Sequence, residues 1–145
     1  MRPTVHRVEP WLRTMLVATG ALLLASGGVW LALHYGAETD GLPHPLEAWL
    51  MRLHGLASLA AFFTLGGLAA THMPLGWRLS SRRRWAHQRG SGLALCVLAA
   101  LLALSAYLLY YFAPEGIRPA LGWTHAAAGL AMTVLAIMHA RRERR

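Results

Sequence analysis

Four stretches of this chain, at about residues 11–35, 46–73, 88–112 and 120–140, are apolar almost throughout, with charges confined to their ends. Each exceeds the ~20 residues that a helix needs to cross a bilayer core of ~30 Å. Inside hydrocarbon, a helix satisfies every backbone N–H and C=O within its own spanning segment. The expected fold is therefore all-α: one integral membrane domain over residues 1–145, built as a four-transmembrane-helix bundle.

The formal net charge is +8, with a sequence pI of about 11.3. In a soluble chain this would suggest nucleic acid, but here the arginines sort by connection. Arg2, Arg7 and Arg13 precede or open the first run, Arg78, Arg82, Arg83, Arg84 and Arg89 fill the second connection, and the chain ends in Arg-rich sequence. The first connection carries Glu38, Asp40 and Glu47 instead. Positive charge stays on the cytoplasmic side of membrane proteins, so both termini are expected there, and no nucleic-acid partner is implied. Trp11, Trp77 and Trp85 fall at the cytoplasmic ends, and Trp30, Trp49 and Trp123 at the opposite ends, with Tyr107, Tyr110 and Tyr111. Amphipathic rings at both interfaces fit a lipid bilayer environment. The arginine-rich composition points to a multi-pass protein of a bacterial cytoplasmic (inner) membrane.

The first run is longer than the ~7–15 apolar residues of a signal peptide, and no small-x-small site follows it. It reads as a retained helix, with Gly20, Gly27 and Gly28 as thin places for a neighbouring helix. Between Pro43 and Pro45, His44 reads as a solvated loop residue. The second helix is expected to close around Met73 and Pro74. The third, LALCVLAALLALSAYLLYYF, reads as a lipid-facing or packing element, and Cys96 within it as a small apolar residue.

Imidazole in a bilayer core is costly without a partner, which makes intramembrane histidines functional candidates. His54 and His72 lie 18 residues apart on the second helix, five full turns, so they share a face about 27 Å apart. His125 and His139 lie 14 apart on the fourth helix, about 21 Å along the axis and close to one face. Both helices run in the same direction, so His54 pairs in depth with His125, and His72 with His139. Each pair is read as the two axial ligands of one haem b, two haems in all, since imidazole nitrogen is a common haem ligand. Small or flat positions between the ligands, such as Ser58, Ala61 and Ala69 on one helix and Gly129, Met132 and Ala136 on the other, leave room for a flat cofactor. Arg52 and Arg118 are candidates for propionates on the outer side. The unequal separations require a tilt or offset of one helix. His87 is the rival inner ligand, and His34 the rival outer one.

With this spacing the chain resembles the small four-helix membrane di-haem cytochromes b, including the membrane subunits of bacterial formate dehydrogenases and hydrogenases. Two helices each bearing two histidines also look like the cytochrome b subunit of respiratory bc complexes, although the 18-residue gap is longer than that pattern's matched spacing. The resemblance implies transmembrane electron transfer between quinone or quinol and a redox partner protein or larger membrane complex. A chain that oxidises quinol itself would be an oxidoreductase; one that only relays electrons would be a carrier subunit. Two other readings stand beside it. One is a histidine-lined proton or metal transporter, against which the lack of central carboxylates weighs. The other is a structural or assembly subunit whose histidines only pack. No glycine-rich phosphate loop or Ser-His-Asp set supports a soluble enzyme.

Overall fold

Prolines open the first two helices. Each sits at the first helical position, where its missing N–H would have had no partner and its fixed φ suits the helix. In the computed structural model, which describes residues 8–36, 42–80 and 86–142, the order is α1 (Pro10–Gly36), α2 (Pro45–Ser80), α3 (Ala86–Tyr111) and α4 (Arg118–Arg142). No strand occurs among the described residues. All four helices are long and apolar enough to cross a membrane. The protein is thus all-helical, with the features of a multi-pass membrane protein.

The second helix does not close at Met73 and Pro74 but runs through Pro74 to Ser80. Proline leaves the Ala70 carbonyl without its ladder donor, but its φ stays helical, and membrane helices tolerate that loss. At 36 residues, α2 extends about 54 Å, beyond the ~40–45 Å of a whole bilayer. Its last turns therefore reach past the hydrocarbon. Trp77 and Arg78 sit in those turns, and the Arg89 guanidinium of α3 lies 3.8 Å from the centre of the Trp77 ring.

Contacts group the chain into two compact units, Met1–Gly76 and Trp77–Arg145. In the first, α1 and α2 pack antiparallel. Leu12 lies against Gly67, Ser26 and Gly27 against His54, and His34 against Glu47, so each step up α1 is matched by a nearly equal step down α2. The approach is closest at Gly67, where a Cβ would fall 2.8 Å from a Leu12 methyl. Leu12 is only 2% exposed, so a glycine is what allows that contact. In the second unit, α3 and α4 pair the same way: Ser91 and Gly92 meet His139, Leu102 meets Gly129, and Ser105 meets His125.

Burial is the reverse of a soluble core. Phe63, Tyr110 and Trp49 are exposed, whereas Thr19, Ser26, Thr64 and Ser105 are buried. Lipid removes the drive to hide large apolar side chains, and small or hydroxylated residues let helix backbones approach. Most of these hydroxyls are satisfied within their own helix. Thr14, Thr19, Thr64, Thr71, Thr124 and Thr133 each donate to the carbonyl four residues earlier, at 2.7–3.0 Å.

Candidate functional site

Three serines also reach a histidine on the neighbouring helix. Ser26 Oγ is 3.0 Å from His54 Nδ1, Ser105 Oγ is 2.7 Å from His125 Nδ1, and Ser91 Oγ is 2.7 Å from His139 Nδ1. Each histidine is partly buried, and in each the nitrogen facing the serine is Nδ1. In α3 and α4 the spacing is equal on both sides: Ser91 and Ser105 are 14 residues apart, as are His125 and His139. Antiparallel helices with equal intervals produce two equivalent rungs about 21 Å apart.

Small residues shape these contacts. A Cβ on Gly27 would sit 3.2 Å from His54 Cε1, and one on Gly92 would sit 3.8 Å from His139 Cε1. The Leu23 carbonyl of α1 also faces the His54 ring. Backbone and hydroxyl groups of α1 therefore both meet that imidazole.

His72 belongs to a different rung. The α1–α2 register carries its level to the start of α1, near Val8, beyond the Leu12–Gly67 contact. The 18-residue gap that sets α2 apart in sequence thus has a structural counterpart. The proposed pairs, His54 with His125 and His72 with His139, each take one histidine from each unit, and their partnership rests on sequence spacing.

The other sequence candidates have assignable surroundings. Gly129, one turn from His125, is turned toward Leu102 of α3, with a Cβ position 3.9 Å from that side chain; its small size serves helix packing there. Arg52 is exposed and lies 4.9 Å from the centre of the Trp49 ring. Arg118 donates to the carbonyls of Leu109 and Ala113, at 3.1 and 2.8 Å, satisfying acceptors at the α3 C-terminus, where a cation also suits the helix dipole. His6, Arg82, Arg83, Arg84 and Trp85 lie outside the described residues, as does the side chain of His87.

His44 is exposed, as a solvated loop residue would be, and it also has a task. It caps α2: its Nδ1 accepts from the Leu46 N–H at 3.2 Å, while Glu47 Oε1 accepts from the His44 N–H at 3.1 Å. This is a variant of the capping box, with histidine in the usual serine place and its ring bonded to the second helical N–H. The second Glu47 oxygen takes His34 Nδ1 at 2.9 Å, and the His34 ring stacks on Trp30 at 4.4 Å. His34, the rival outer ligand, is thereby engaged in joining the end of α1 to the start of α2.

Sequence reasoning missed Ser26, Ser91, Ser105 and this clasp. The matched 14-residue intervals of serine and histidine are the signal that would have found two of the three serines.

Fold and contacts define a class: an all-helical, multi-pass membrane protein in which paired antiparallel helices hold histidines by serine hydroxyls. No protein-family model, curated protein or solved structure matches the chain.

Proposed function

We propose that this protein is a b-type cytochrome of a bacterial inner membrane, with both termini cytoplasmic. It would carry electrons across the bilayer through two haems b, between quinone or quinol and a redox partner protein or larger membrane complex. His54 with His125, and His72 with His139, would supply the axial nitrogens. Haem contributes one-electron redox chemistry, and the protein sets ligation, burial and orientation.

The observation that supports the reading best is the set of Nδ1-held imidazoles. Histidines that ligate metals almost always have the second ring nitrogen fixed by a neighbour, which sets tautomer and ring orientation. Three of the four proposed ligands have that arrangement here. The donor set also suits haem better than a bare ion. Among the described residues, no three His, Cys, Asp or Glu side chains gather to hold a metal. Porphyrin supplies four of the iron's ligands and asks the protein for one or two imidazoles.

The deciding experiment is the reduced-minus-oxidised optical spectrum of detergent-purified protein, with haem quantified per chain. Two low-spin b haems are expected, with His54→Ala and His125→Ala each removing the same one and His72→Ala and His139→Ala the other. Protein purified without haem from haem-sufficient cells would overturn the reading. One haem, indifferent to His72→Ala, would remove the inner site.

A further inference from the structure

Resting on that cytochrome reading, we propose that Ser26 and Ser105 are positioning residues that commit His54 and His125 to the Nδ1–H tautomer, leaving the Nε2 lone pair as the ligating one. The argument follows the hydroxyl proton. Ser26 Oγ lies 2.7 Å from the Leu22 carbonyl and 3.3 Å from the Leu23 carbonyl. A carbonyl oxygen only accepts, and a hydroxyl has one proton to give, so an O···O separation of 2.7 Å places that proton toward Leu22. Ser26 then offers His54 only lone pairs, and the 3.0 Å contact requires Nδ1–H as donor.

In the other unit Ser105 stands between the Leu102 carbonyl, at the longer distance of 3.1 Å, and His125 Nδ1 at 2.7 Å; because a carbonyl only accepts, both contacts are satisfied together only when Nδ1–H donates to the serine. Ser105 is 7% exposed and Ser26 2%, so water does not compete strongly for either hydroxyl. Back-bonding to the preceding turn is what turns each serine from an ambiguous partner into an acceptor. The acceptor is neutral, so it orients the imidazole without the electron push of a carboxylate. Both proposed ligands of one haem carry the same device.

Nitrogen-15 NMR of histidine-labelled full-length protein, prepared from haem-limited cells and then titrated with haem, tests this. In the haem-free protein, His54 and His125 should show protonated Nδ1 and unprotonated Nε2. Ser26→Ala and Ser105→Ala should each release the matching ring to a tautomer mixture and lower haem affinity about 10–100-fold, the usual effect of losing such a partner. Each should also shift the midpoint potential of one haem alone. Ser26→Thr and Ser105→Thr should restore both properties, since threonine hydroxyls elsewhere in the chain, Thr19 in α1 and Thr64 in α2, bond to the preceding turn. Wild-type rings protonated at Nε2, or alanine variants unchanged in tautomer and affinity, would overturn the assignment. Wild-type protein with the expected tautomers that takes up no haem would sink the cytochrome reading while the assigned tautomers stood.

Discussion

Gly27 and Gly28 are adjacent in one helix, and the structure separates them sharply. A Cβ on Gly28 meets nothing within 4 Å, whereas one on Gly27 meets His54 Cε1 at 3.2 Å and Nδ1 at 3.5 Å. Replacing either glycine by alanine gains about 0.8–1.0 kcal/mol of helix propensity. At Gly28 nothing opposes that gain. At Gly27 the imidazole must withdraw by a few tenths of an ångström, and it is held from the same side by Ser26 at 3.0 Å. Withdrawal carries that contact past the ~3.2 Å upper range of a good N–H···O bond, and overpacking of this kind costs about 1–3 kcal/mol. Gly28→Ala should therefore raise the thermal unfolding midpoint in detergent, and Gly27→Ala should leave it unchanged or lower it. The two variants should differ by about 1–3 kcal/mol. Under the proposed haem ligation, Gly27→Ala should also perturb one haem spectrum, and Gly28→Ala neither. Equal midpoints for the two variants would refute the α1–α2 register on which the Ser26–His54 contact depends.

A second adjacent pair tests the other end of that interface. Gly67→Ala pushes against Leu12 at 2.8 Å while Gly66→Ala meets nothing, so unfolding should separate them by about 1–3 kcal/mol, with Leu12→Ala relieving the clash. Glu47 has two tasks, accepting from the His44 backbone and from His34. Glu47→Ala should destabilise through the lost cap, and Glu47→Gln by less, because its amide oxygen still accepts from His44; equal losses in denaturation curves would show that charge, not capping, dominates.

What the sequence by itself determined is the set of features that depend on composition along one helix. Length and apolarity placed all four spans, and the five-turn spacing put His54 and His72 on one face. Even within a helix the reading failed at Pro74, because a proline rule suited to water overstates the cost of a lost backbone bond where membrane helices absorb it. Only the tertiary structure decided which residue faces which. In a soluble helix, an apolar stripe identifies the packing face. These helices are apolar nearly all round, so sequence periodicity does not say whether Ser26, Ser91 and Ser105 look toward lipid or toward a histidine. Nor does it bring Glu47 to His34, since that meeting depends on how far two antiparallel helices slide along each other. Here the sliding distance is set by close approach at single small residues such as Gly67 and Gly27, a contact between helices that no single helix encodes.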